Sequence, residues 1–308
     1  MRTGTNGSSL GDSGAPGGWE LVSADGPGPF VPNEVLRRAD GTEVRWRSRA
    51  HRKGRGQHPS RGRAPAGDGG EPTWWRPHRR GWWMSVLFAV GSLCFAVAAV
   101  AAQWSASSRP AVGVTFFVGS IFFTAASYLQ YSEVLSVEPS PVRRVPRSRW
   151  RLASWEPRRI DWLAASVQLA GTVFFNISTF AAMKHGLSTQ QANRRVWAPD
   201  AFGSICFLVS SELAFAEVCH RWVCLKRRSL PWRIVALNLL GSIAFGAAAV
   251  ASLVEPSTGE PISARIANAG TALGALCFLA AALALMPEAA AEERAARAGA
   301  QHAPELDS

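Results

Sequence analysis

Six apolar stretches of this chain share one pattern: a glycine, a small residue, and a phenylalanine four positions after the glycine. The glycines are Gly91, Gly119, Gly171, Gly203, Gly241 and Gly274, and the phenylalanines are Phe95, Phe123, Phe175, Phe207, Phe245 and Phe278. The stretches run over 82–102, 111–131, 162–183, 198–219, 232–253 and 264–286. A helix rising 1.5 Å per residue needs about 20 residues to cross a hydrocarbon layer of about 30 Å, so each stretch is long enough to span. A soluble bundle would place a charged face on each helix at a 3.6-residue period. Here Glu212 is the one clear carboxylate well inside a stretch. The mean hydropathy of +0.03 reflects polar termini diluting the apolar stretches. The sequence therefore predicts an all-α integral membrane bundle of six helices.

A longer period overlies the short one. Nine residues before the odd-numbered glycines stand Trp82, Trp162 and Trp232. Fourteen residues after the even-numbered ones stand Glu133, Glu217 and Glu288. The repeating unit is a two-helix hairpin present three times, at 81–133, 160–219 and 231–288, with unequal connecting loops.

Charge sets the expected orientation. Cytoplasmic flanks of membrane helices hold an excess of Lys and Arg. With the N-terminus inside and its long tail left out, the inner segments carry 13 basic residues and the outer ones 4. The expectation is a multi-pass protein of the cell membrane with both termini cytoplasmic. Most of the 13 tryptophans lie near span ends, as an aromatic belt requires. Trp82, Trp162 and Trp232, with Glu133, Glu217 and Glu288, are expected at the membrane interface. There the glutamates would meet arginines that open the odd helices, such as Arg79, Arg80, Arg158, Arg159, Arg228 and Arg233.

Residues 1–80 are rich in Gly, Pro, Ser and Arg and poor in large apolar residues, a composition expected to remain disordered. One exception is expected at 35–46, where Asp40-Gly41 between two β-compatible runs marks a short hairpin. The basic run 45–63 is tethered near the inner leaflet, so anionic lipid headgroups are its expected partner and nucleic acid is not. Residues 289–308 read as a cytoplasmic tail that begins helical. Expected partners are the lipid bilayer itself and a second copy of the chain or another membrane protein.

The chemistry within the spans is sparse. A glycine followed by a small residue lets helices approach closely, so Gly91, Gly119, Gly171, Gly203, Gly241 and Gly274 are expected to form a packed waist. The hydroxyls of Ser92, Ser120, Thr172, Ser204 and Ser242 are expected to bond back to the preceding turn. Glu212 is the candidate polar intramembrane site, because an ionisable group in a span is costly. Gln168 and Asn238, each three residues before a motif glycine, are its expected partners. Cys219, His220 and Cys224 lack a fourth ligand and fit no zinc pattern, so the cysteines read as free thiols. No nucleotide loop, metalloprotease motif or nucleophile elbow occurs, and no cofactor or metal is expected.

A hairpin with Gly-Ser at the middle of both helices, as in Gly91-Ser92 and Gly119-Ser120, resembles the small YrhK-like membrane domain. Over residues 78–288 the chain is similar to three such hairpins fused, as in six-span actinobacterial membrane proteins. The resemblance implies no catalytic residues. The expected function is a non-enzymatic structural or interaction module. The alternative is a small-solute or proton/cation transporter using Glu212.

Overall fold

The computed structural model describes residues 19–47, 75–103, 109–136, 155–226 and 228–301. The disorder expected of residues 1–18 and 48–74, and most of the basic run 45–63, lie outside the described residues.

Six helices are long and apolar enough to cross a membrane. They are α1 (Arg80–Ala101), α2 (Arg109–Leu135), α3 (Ile160–Ala182), α4 (Ala198–Cys219), α5 (Leu230–Ala251) and α6 (Ala264–Gln301). One helical turn, Thr189–Ala192, and a π-helical stretch, Asn193–Trp197, lead straight into α4. The apolar helix is therefore continuous from Thr189 to Cys219, longer than the 198–219 read from the sequence. Polar Gln190, Gln191, Asn193, Arg194 and Arg195 conceal this extension in the sequence.

The helices close into a ring. Each packs on the next, and α6 returns to α1. With six crossings, the start of α1 and the end of the α6 span lie on one side, called here the terminal side; the opposite side is the far side.

The five-residue pattern sorts side chains by direction. The residue after each glycine is buried, from 0% to 3% exposed, and the phenylalanines are 4–9% exposed. The residue two after each glycine points the other way: Leu93, Ile121, Val173, Ile205, Ile243 and Leu276 are 46–56% exposed. An apolar outer surface repeated on every helix is what a lipid environment requires.

The glycines pair within hairpins. A Cβ added at Gly91 would lie 3.0 Å from the carbonyl oxygen of Gly119. One at Gly171 would lie 3.2 Å from that of Gly203, and one at Gly241 3.0 Å from that of Gly274. The contact is backbone against backbone, so even alanine forces the helices apart. Cys94, Cys206 and Cys277 fill the space left by the partner glycines Gly119, Gly171 and Gly241.

The six phenylalanines meet on the ring's axis. Phe95, Phe175 and Phe245 form one triangle, with ring centroids 5.9–6.2 Å apart. Phe123, Phe207 and Phe278 form a second, at 5.8–6.2 Å. Within each hairpin the two rings lie 5.1–5.5 Å apart. The geometry follows from helix direction. Four residues past the glycine, odd helices have moved toward the far side and even helices toward the terminal side. Side chains lean back toward their own N-terminus, which returns both triangles to the middle.

Before the helices stands a three-stranded antiparallel sheet: β1 (Trp19–Asp25), β2 (Asn33–Arg38) and β3 (Glu43–Arg47), in the order β1-β2-β3. The tail expected to be largely unstructured thus contains more than one hairpin. The turn expected at Asp40-Gly41 joins β2 to β3, with Gly41 at φ 84° and the Asp40 carboxylate accepting from the Thr42 amide at 2.9 Å. That bond holds the Asp40 carboxyl below its ordinary range. The sheet has the partner surface that a lone hairpin lacks. Phe30, in the β1–β2 loop, is buried against Ile160, Ala164, Leu213 and Ala216 of α3 and α4.

Candidate functional site

Two cavities lie on the axis, one on each side of the phenylalanine layer. The terminal-side cavity, ≈ 120 Å³, has Phe123, Phe207 and Phe278 in its wall. The far-side cavity, ≈ 370 Å³, has Phe95 and Phe245 in its wall. Both exceed the volume one water needs.

In each, hairpin-equivalent positions line the wall with different chemistry. Three residues before the odd glycines stand Phe88, Gln168 and Asn238, and all three line the terminal-side cavity. The Gln168 side-chain oxygen accepts from Ser210 Oγ at 3.2 Å, and Gln130 Nε2 approaches it at 3.5 Å. Ser211 bonds Ser242 across the α4–α5 seam at 2.7 Å. Toward the rim the wall adds Glu133, Asp161 and Glu217. Asp161 is held by Arg159, whose Nη2 and Nε donate to its two oxygens at 2.8 and 3.2 Å; Arg159 also donates to Glu156 and to the Val134 carbonyl. Burial opposes the guanidinium charge, but the Asp161 and Glu156 carboxylates outweigh it and raise the Arg159 pKa. Glu133, Glu217 and Glu288 are all engaged by partners, and Glu217 and Glu288 are buried.

Three residues before the even glycines stand Phe116, Asp200 and Thr271, and these line the far-side cavity. Six residues before the same glycines stand Gly113, Trp197 and Asn268, which also line it. The π-helical stretch ends at Trp197, just before Asp200. Such stretches mark an inserted residue and often occur at functional sites. It is fixed in place by Asn193, which exchanges two hydrogen bonds with the Val254 backbone, and by Trp197 Nε1 donating to Ala249 O.

The sequence grouped Glu212 with Gln168 and Asn238; the structure brings together only the last two. Glu212 is absent from both cavity walls. It lies on the face of α4 carrying Ile205, Leu208 and Val209, which are exposed. Among the described residues, the carboxylate in the far-side wall is Asp200. In the sequence Asp200 stands at the edge of the 198–219 stretch, because the apolar run begins only at Ala198. The continuous helix puts it one turn from Gly203 at mid-span.

Other expectations change as well. Trp162, near the start of α3, is 5% exposed and packs against Val134 and Ala165. Trp82 is half-buried and stacks edge-on with Trp75 and Trp83. Trp232 donates to Cys224 O at 3.0 Å. Ser120, Thr172 and Ser242 bond back to preceding carbonyls, whereas the Ser92 and Ser204 hydroxyls are buried without a partner among the described residues. Cys219 and Cys224 form a disulfide rather than standing as free thiols. His220 ends α4 in the left-handed region, at φ 59°, and the chain then turns back on the helix.

No protein-family model matches the chain, and no curated protein or solved structure shows significant similarity to it.

Proposed function

We propose that this multi-pass membrane protein binds a small hydrophilic solute or cation on its axis and passes it across the phenylalanine layer without enzymatic chemistry. The observation that carries this reading is the pair of cavities, each with polar side chains set in a largely apolar wall, facing each other across a single layer of rings. Apolar constrictions between wet vestibules gate passage by excluding water. The second reading, a structural or interaction module, is favoured by the solid packing of the six rings. Uptake by purified protein in liposomes separates the two, using a pH-sensitive dye for protons and labelled sodium, potassium and small amines for other cations. Flux above empty vesicles supports translocation; none across the panel leaves the structural module.

We further place the protein in the cell membrane with both ends cytoplasmic, on the bias of basic residues toward the terminal side. The Cys219–Cys224 bridge lies on that same side, and disulfides persist in oxidising compartments. A bridge on the terminal side favours the reverse orientation, and the reporter fusions decide between the two. Reporters fused after residues 145 and 226 are expected inside, and those after 106, 190 and 258 outside; reversal at two sites overturns the orientation. The resemblance to the YrhK-like domain belongs to the same proposal, supported by the Gly-Ser pairs at the centre of the first hairpin.

A further inference from the structure

We propose that the far-side cavity is a binding site for a small organic cation, an amine or quaternary ammonium, with Asp200 as its counter-ion. The proposal rests on the reading of the axis as a solute path and names the solute's class.

The wall of this cavity contains one carboxylate, Asp200, and no Lys, Arg or His. Among the described residues, no hydrogen bond or ion pair reaches that carboxylate. An ionised carboxylate so deep in a span is costly without a partner, and a bound cation removes that cost. An anion would meet the carboxylate with nothing to neutralise it. A neutral solute would leave that task to a proton.

The rest of the wall selects among cations. Phe95, Phe116, Phe245 and Trp197 present aromatic surface. Aromatic faces attract a weakly hydrated ammonium with apolar substituents. A hard divalent ion instead needs six or more oxygen ligands. Here the Ser178, Thr179 and Thr271 hydroxyls donate their protons to helix carbonyls, which leaves their oxygens as acceptors for the N–H groups of an amine. Among the described residues, no group of three His, Cys, Asp or Glu side chains gathers to hold a metal. The volume of ≈ 370 Å³ falls in the range of small-molecule sites and exceeds what a bare ion requires. One negative charge matches one ammonium.

The test is calorimetric titration of purified full-length protein with choline and with its uncharged carbon analogue, 3,3-dimethylbutan-1-ol. Saturable choline binding is expected, at least tenfold tighter than the analogue; this comparison needs no variant. Asp200→Asn should weaken choline at least tenfold, and Phe116→Leu several-fold. Thermal melting of each variant checks that it is folded. Equal affinity for choline and the analogue, undiminished choline binding in folded Asp200→Asn, or equal displacement of choline by sodium each overturns the proposal. Choline binding without flux in liposomes defeats only the translocation reading. Flux unchanged by Asp200→Asn defeats only the present one.

Discussion

The waist and the two cavities are built from the same three hairpins, yet they treat the repeat in opposite ways. At the waist, equivalent positions hold the same or similar residues: glycine six times, a small residue six times, phenylalanine six times. One turn away on either side, equivalence ends. Phe88, Gln168 and Asn238 share one level, and Phe116, Asp200 and Thr271 share another. Helix contact at van der Waals distance tolerates little change, whereas a cavity wall has room to vary. The hairpins differ where a side chain faces open space.

The largest expected effect is at the waist. Gly274→Leu should abolish the folded bundle, because a Cβ there already lies 2.9 Å from the Gly241 carbonyl oxygen. Gly274→Ala should cost about 1–3 kcal/mol, the usual range for overpacking. Thermal melting in detergent measures both, and a Leu variant that melts like wild type removes the waist from the comparison. Phe207→Ala comes next, at about 3–5 kcal/mol for a buried ring. If the rings separate two vestibules, this variant should also leak small cations in liposomes; destabilisation without leakage would favour a purely structural core.

Smaller effects probe the hydroxyls beside the glycines. Ser120 Oγ lies 3.1 Å from Thr179 Oγ1 across the α2–α3 seam, where one hydroxyl must give up its intrahelical bond to donate, so Ser120→Ala should cost no more than about 0.6 kcal/mol, typical of hydrogen bonds between membrane helices. Ser92→Ala should be neutral or stabilising, since its hydroxyl is buried without a partner. An equal loss at both sites would show that melting reports something other than these bonds. The smallest effect on stability is expected at the walls. Asn238→Leu should change it by less than about 1 kcal/mol while reducing any flux. Glu212→Gln should hold or raise stability, by relieving a partly buried charge in the span, and leave flux unchanged. Flux lost in Glu212→Gln would move the path off the axis.

Much of the helical architecture was legible because one short pattern fixes three directions at once. Glycine and its small neighbour mark the contact, phenylalanine marks the axis, and the residue between marks lipid. The site was legible only in part. Gln168 and Asn238 stood out by their shared offset from the motif glycine. Asp200 did not, because hydropathy ended the span too early. Glu212 was conspicuous for depth alone, and depth carries no information about which way a helix is turned. β1 escaped notice because Leu21 and Val22 stand exposed on an edge strand and give no clear alternation. The Cys219–Cys224 bridge was hidden because spacing alone does not reveal that His220 reverses the chain.

The closure of α6 onto α1 bears on the stoichiometry of charge. A protein of one such hairpin could complete the same ring only as three separate copies. Whatever residue it placed beside the axis would then appear three times. Three aspartates around one small chamber would repel one another, and most would be forced to hold a proton. Covalent continuity through the three hairpins lifts that restriction. Phe116 and Thr271 occupy the two positions that symmetry would otherwise give to acid, which leaves a single carboxylate in the far-side wall.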